Sequence, residues 1–250
     1  TAVCELTTPY RSDSVALLNV WNDVRKMNGD IYYLLQTYGY STDLDKSIFA
    51  PAREGEVVLC LNYGGLYGIN NINHFLQESN TGKAIWRGIQ RYKVGDPILF
   101  NDASDKFFTR TEEQLPVIHN NMTGRIVDFL LLNEGKATEG IQFDIEIDRP
   151  LIDMDMKDMD FTIVGTAANG NSIIRFVVNK NKATDEDDEG PSKAIVPFQI
   201  AYAVSIHKAQ GLEYDHVKII ITDEIDELIT HSIFSVSYTH LRAHETCADL

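Results

Sequence analysis

Residues 56–79 read EVVLCLNYGGLYGINNINHFLQES, and this segment sets the class of fold. Its apolar run Val57–Leu61 predicts a strand that is buried on both faces, as in a parallel sheet. A glycine-rich turn follows the run. Four apolar residues then recur at helical spacing: Ile69, Ile72, Phe75 and Leu76. A strand, a glycine turn and a helix in this order predict an α/β fold.

From Tyr92 to about Lys193 the sequence predicts strands and turns instead of helices. Apolar residues in Ile141–Ile147 alternate with polar ones, which is typical of a strand exposed on one face. Ala168–Asn171 predicts a hairpin turn. The other strand-like segments are Val94–Phe100, Gly124–Leu132, Phe161–Thr166 and Ser172–Val178. We therefore expect a small antiparallel β-barrel inserted into the α/β domain.

Helix and buried-strand patterns flank this span. Near the start, Ser12 or Asp13 can cap a helix that includes Val15–Val24. After the span, Ile200–Gln210 predicts a short helix, and His216–Thr222 predicts another buried strand.

The composition is ordinary except for its acidity. With 22 Lys and Arg against 37 Asp and Glu, the formal net charge is −15, which by itself argues against a nucleic-acid binder. The run Asp185–Glu189 carries five of these charges and is typical of a solvated loop. No transmembrane run or signal peptide is visible. Cys4, Cys60 and Cys247 are too scattered for a disulfide framework, so a cytoplasmic protein is expected.

The last residues, Val236–Leu250, differ from the rest of the chain. His240, His244 and Cys247 have a spacing that suggests a zinc site. However, the string VSYTHLRAHET is the translation of a sequencing adaptor, so we interpret the tail as non-native and expect no metal site. An ordinary C-terminal helix is the alternative interpretation.

Ser205–Val217, SIHKAQGLEYDHV, places polar and basic residues and a glycine before the last predicted strand. Gly211 lets the backbone approach a phosphate closely, and Glu213 can accept a hydrogen bond from a sugar hydroxyl. Three side chains can donate hydrogen bonds to backbone phosphates: Ser205, His207 and Lys208. The alternative is the end of a helix with a solvated polar face.

This string resembles motif V of the superfamily 1 helicases, especially the RecD-like and UvrD-like members. Their usual pattern is T-V-H-K-S-Q-G-x-E-[FY], so Ser205 stands for Thr and Ala209 for Ser. A second string, Leu6–Ser12 or LTTPYRS, resembles motif IV, usually L-x-x-N-Y-R-S, with Pro9 in place of Asn.

The resemblance implies roles for these residues at a nucleotide. Tyr10 would stack on adenine, and Arg11 would reach the γ-phosphate and stabilise charge during phosphoryl transfer. A surface salt bridge is the alternative role for Arg11. Gln210, Gly211 and Glu213 are implied at the same nucleotide.

The resemblance also implies a domain organisation. Residues 1–91 and 196–235 would form the second RecA-like domain, interrupted by an SH3-like barrel at 92–195 and followed by the tail 236–250. Thr230–Phe234 resembles the approach to motif VI. ATP and Mg²⁺ are the implied cofactors. The phosphate loop and the metal ligands would come from a first RecA-like domain that is missing here.

We therefore expect a C-terminal fragment of an ATP-dependent DNA helicase that moves along single-stranded DNA and is inactive alone. One alternative is a nucleotide-gated binding or scaffold module that does not unwind, which Pro9, Ala209 and the acidic charge favour. A helicase–nuclease fusion is another alternative. No membrane partner is expected.

Overall fold

The computed structural model describes residues 15, 19, 49–50, 54–101, 117–136, 139–151, 159–179, 195–210, 212 and 214–220. The chain divides into two compact units. The first unit comprises Thr1–Ser79 and Tyr202–Leu250, and the second comprises Asn80–Ala201. The insertion predicted at 92–195 falls within the second unit. No helix in the described ranges has both the length and the apolar character needed to span a bilayer.

The elements follow one another in a mixed order of strands and helices. They are β1 (Glu56–Cys60), α1 (Ile69–Glu78), β2 (Ala84–Arg87), β3 (Gln90–Lys93), β4 (Pro97–Phe100), β5 (Thr123–Leu132), β6 (Gly140–Ile147), β7 (Thr162–Thr166), β8 (Ser172–Asn179), β9 (Phe198–Ile200), β10 (Ala203–Ser205), α2 (Ile206–Ala209) and β11 (His216–Ile219).

The first unit contains a parallel sheet in which β1 is the central strand, in the order β10-β1-β11. Val58 is in register with Ala203 of β10, and Val57 with Val217 of β11. The four residues Val57–Cys60 are at most 1% exposed. A central strand of a parallel sheet is buried on both of its faces. Its sequence is therefore an unbroken apolar run. The predicted parallel strand and the mixed α/β class are confirmed.

Helix α1 follows β1 through the predicted glycine-rich turn. A Cβ at Gly68 would lie 2.1 Å from the carbonyl oxygen of Gly64, so only glycine fits there. Burial of Ile69, Ile72 and Leu76 on α1 stabilises the packed helix by roughly 1.5–3 kcal/mol for each side chain. Phe75, which belongs to the predicted apolar stripe, is instead half-exposed.

The helix predicted over Ile200–Gln210 is wrong for most of its length. Ala203–Ser205 forms β10, and only Ile206–Ala209 forms the single turn α2. Ala203 and Val204 are fully buried in the ladder with β1. Consecutive apolar residues in a short buried strand cannot be distinguished from a buried helix by periodicity alone. The strand predicted after it is confirmed as β11.

The second unit is built from antiparallel strands, as predicted. Its main sheet has the order β7-β8-β6-β5-β4-β9, and β2 and β3 form a separate hairpin. In β6 the side chains of Phe143, Ile145 and Ile147 are fully buried while the residues between them are not, which confirms the predicted alternation. Gly170, at φ 90°, lies in the turn between β7 and β8, so the predicted hairpin is confirmed.

The six-stranded sheet curves around an aromatic core. Its ladder is irregular between Ile126 and Asp128 and between Ile163 and Gly165, and such bulges increase the local twist. The ring of Phe198 on β9 lies 5.2 Å from Phe143 on β6 and 6.3 Å from Phe176 on β8. The described residues nevertheless contain no pairing between the edge strands β7 and β9. Within the residues that the structure describes the sheet does not close, and the predicted SH3-like β-barrel is not shown.

Candidate functional site

The segment Ser205–Val217 begins at the carboxyl edge of the parallel sheet. Ser205 is the last residue of β10 and is in register with Cys60, the last residue of β1. In open α/β sheets, ligands bind outside the carboxyl ends of the strands. The described part of this segment therefore lies where a ligand of such a sheet is expected.

The single turn α2 separates its apolar side chains from its polar ones. Ile206 and Ala209 are at most 2% exposed, whereas His207 and Gln210 are exposed and Lys208 is half-exposed. The predicted donors His207 and Lys208 are therefore accessible to solvent. A serine hydroxyl at position 209 would face the core, so the alanine there does not remove a solvent-facing donor.

The hydroxyl of Ser205 has a structural role. Its oxygen accepts a hydrogen bond of 3.2 Å from the backbone N–H of His207, and so caps the start of α2. Ser205 is 7% exposed. A hydroxyl that accepts in this way still carries its own proton, so it can also donate to a phosphate.

The side chain of Asn73 holds β10 in place. Its amide donates to the carbonyl oxygen of Ala203 at 2.9 Å and accepts from the N–H of Ala203 at 2.8 Å. These two hydrogen bonds satisfy main-chain groups of β10 that do not pair with β1. Sequence reasoning missed Asn73, because an asparagine within a helix gives no local signal of a contact with a strand 130 residues away.

The glycine-rich turn between β1 and α1 satisfies its own backbone groups. The N–H of Ile69 donates to the carbonyl of Asn62 at 3.0 Å, and the N–H of Asn70 donates to the carbonyl of Tyr63 at 3.2 Å. Backbone N–H groups at a helix start can bind anions. Because these two already have acceptors within the turn, their hydrogen bonds stabilise the start of α1.

Cys60 lies beside Ser205 but is unsuited to nucleophilic chemistry. Burial raises the pKa of its thiol to about 12, and the thiolate is the reactive form. The described ranges also contain no group of three His, Cys, Asp or Glu residues that could hold a metal ion. We therefore assign no magnesium ligand to this part of the chain.

Several predicted site residues lie outside the described residues. They are Tyr10, Arg11, Gly211 and Glu213, together with the acidic run, the segment resembling the approach to motif VI and the tail 236–250. Within the predicted first helix, Val15 and Asn19 are helical, and Val15 is 70% exposed.

Comparison with known proteins identifies the class of fold. No protein-family model matches the sequence, and no curated protein sequence matches it significantly. Solved structures do match, and at 14–15% identity they show a likeness of fold alone.

Pif1 helicases are among the matching structures. One is the Bacteroides enzyme in complex with ADP-AlF3 and ssDNA, with 15% identity and a TM-score of 0.53 over 96% of this chain and 50% of that chain. Another is the Candida albicans enzyme, with 14% identity and a TM-score of 0.52 over 94% of this chain and 53% of that one. This chain therefore spans about half the length of the structures that it matches.

Proposed function

We propose that this chain is the C-terminal part of an ATP-dependent, RecD-like DNA helicase that couples ATP hydrolysis to movement along single-stranded DNA. The observation that carries the proposal is the exposed face of α2, His207, Lys208 and Gln210, at the carboxyl edge of a parallel sheet with a helicase fold. The motif V string at the same position supports a contact with nucleic acid.

The proposal divides the work between this chain and a first RecA-like domain. That domain would supply the phosphate loop and the Mg²⁺ ligands, and Mg²⁺ would neutralise developing phosphate charge when bound. Tyr10, Arg11, Gln210, Gly211 and Glu213 would contribute the other side of the ATP site. The second unit would be the SH3-like insertion of such a helicase. Its antiparallel, curved sheet supports this description.

The first test measures DNA binding by the 250-residue chain. Binding of a fluorescently labelled oligothymidylate is titrated at several salt concentrations. Lys208→Ala should lower the affinity and reduce the slope of log affinity against log salt by about 0.7, the value for one phosphate contact on a single strand. Lys136→Ala removes the same charge from an exposed position in the second unit and should leave the slope unchanged. An unchanged slope in Lys208→Ala would contradict the assigned contact.

The second test measures ATP turnover in a longer protein that includes the phosphate-loop domain. Arg11→Ala should reduce DNA-stimulated ATP hydrolysis by about 10³-fold or more, because arginines of this kind act on transition-state charge. It should change DNA affinity little. Arg11→Lys should not restore turnover, because an ammonium lacks the planar fork. DNA binding without ATP hydrolysis in the unsubstituted protein would instead favour the scaffold module.

A further inference from the structure

The hairpin formed by β2 and β3 presents a rigid tip. Arg87 is in register with Gln90, so the loop between them is the two residues Gly88 and Ile89. Gly88 has φ 60°, which is the backbone that a type II′ turn requires at its first position and that glycine adopts freely. Two-residue turns of this type match the twist of the strands, so the tip is pre-ordered.

The inner face of the hairpin packs against the six-stranded sheet. The ring of Tyr92 lies 5.6 Å from Phe143 and 5.7 Å from Phe198, and Ile85 is also buried. The guanidinium of Arg87 donates to the carbonyl of Asn179 at 2.6 Å. The hairpin therefore has a fixed position on the sheet, and residues on its other face cannot turn inward.

The outer face exposes an apolar and aromatic surface. Ile89 is 98% exposed and Trp86 is 60% exposed. The guanidinium carbon of Arg91 lies 5.4 Å from the centre of the Trp86 ring, which is a cation–π contact. Tryptophan is enriched at binding interfaces, and here it has a cation beside it.

The local charge distinguishes between possible occupants. Residues 82–94 contain four basic residues and no acidic one, in a chain with a net charge of −15. Arg91 is the cation beside Trp86, whereas Lys83 is paired with Asp128, Arg87 donates to a main-chain carbonyl and Lys93 is buried. A polyanion that carries flat rings fits this surface better than an apolar protein patch does. Single-stranded nucleic acid has both features, because proteins that bind it combine cations with aromatic stacking platforms.

We propose that Trp86, Ile89 and Arg91 form a stacking site for the bases of single-stranded nucleic acid. The site belongs entirely to the second unit, whereas α2 belongs to the first. It rests on the proposed function, since a translocating protein must hold its strand at more than one point. A stacked base adds roughly 5- to 150-fold in affinity, whatever its identity.

The experiment measures oligothymidylate binding by the 250-residue chain and its variants. Trp86→Leu keeps an apolar side chain but removes the ring and should weaken binding at least about 5-fold, whereas Trp86→Phe should retain most of the affinity. Arg91→Gln should also weaken binding, while the matched control Lys136→Gln should not. Tryptophan fluorescence should change on binding, and Trp86→Leu, which keeps Trp21, should lose that change. Circular dichroism checks that each variant is folded.

Two results would overturn the proposal, and they differ in meaning. If the chain binds the oligonucleotide but Trp86→Leu binds equally well, the stacking site is wrong while the proposed function stands, and the tip is left as a surface for a protein partner. If neither the unsubstituted chain nor any variant binds single-stranded DNA at low salt, the proposed function fails and the stacking site fails with it.

Discussion

The hydroxyl of Ser205 illustrates how a residue can serve the fold and the ligand together. Because its oxygen accepts from the His207 N–H at the start of α2, Ser205→Ala should lower the free energy of unfolding by about 1 kcal/mol, the usual cost of losing an N-cap. Ser205→Thr, which restores the residue usual in motif V, keeps that oxygen and should cost less. Urea unfolding of the three proteins measures the difference. Equal midpoints for serine and alanine would mean that the hydroxyl does not cap the turn.

Individual side chains of the site were predictable only where chemistry was local. His207 and Lys208 were predicted as donors from their neighbours in sequence. The structure leaves His207 exposed and Lys208 half-exposed, and their role as donors stays a prediction. Asn73 and Trp86 were not identified. The contact of Asn73 with Ala203 is tertiary, and the exposure of Trp86 depends on which face of a short hairpin is covered. Neither property can be predicted from the neighbouring residues in the sequence.

At the scale of the elements, a buried ion pair joins β1 and β11. Removing one partner of this pair should destabilise the fold more than removing one partner of an exposed pair. The Lys218 ammonium lies 2.8 Å from the Glu56 carboxylate, with side chains 9% and 3% exposed. Lys218→Met leaves a buried carboxylate without its counter-charge, so it should cost about 3–5 kcal/mol. The double substitution with Glu56→Leu should cost clearly less than this, because no charge is left behind.

The control for this prediction is an exposed pair in the second unit. Lys83 and Asp128 are 3.2 Å apart, but their side chains are 57% and 61% exposed. Lys83→Met should therefore cost less than about 1 kcal/mol. Urea unfolding measures both pairs. If Lys218→Met is no more destabilising than Lys83→Met, the pair between β1 and β11 is hydrated and the assigned burial is wrong.

The elements also differ in how clearly the sequence predicts them. Strand β1 was predicted because a central parallel strand has an unbroken apolar run, and β6 because one of its faces is polar and only partly buried. Strand β10 was mistaken for a helix, since three residues carry too few positions to define a period. The β2–β3 hairpin was missed for the same reason. Its alternation has only Ile85 and Tyr92 as buried apolar residues, beside the buried Lys93.

At the scale of the whole molecule, the amino-acid sequence predicted the order of the α/β and antiparallel regions along the chain. It did not predict whether the antiparallel sheet closes into a barrel. The change from helical to alternating patterns correctly indicated an antiparallel sheet within an α/β chain. Whether the end strands of such a sheet pair depends on its curvature, to which bulges such as those in β5 and β7 contribute. Bulges are one-residue irregularities, and the residues at these two positions, Val127 and Val164, are ordinary strand formers.

The net charge of −15 repels a polyanion such as the DNA of the proposed function. This long-range repulsion can be measured separately from the contacts that single residues make with DNA. Neutralising the five residues of Asp185–Glu189 as amides takes the net charge to −10. At an ionic strength of about 0.01 M the Debye length is roughly 30 Å, so this change should raise the affinity for oligothymidylate several-fold wherever the run lies. At about 0.15 M the Debye length falls to roughly 8 Å, and the affinity should return to that of the unsubstituted chain.

Lys208→Ala should behave differently, because losing a phosphate contact lowers the affinity at both salt concentrations. Binding curves for the three proteins at the two ionic strengths provide the comparison. A gain that persists at the higher ionic strength would contradict a long-range effect, and would mean that the acidic run directly competes with the DNA for its binding site.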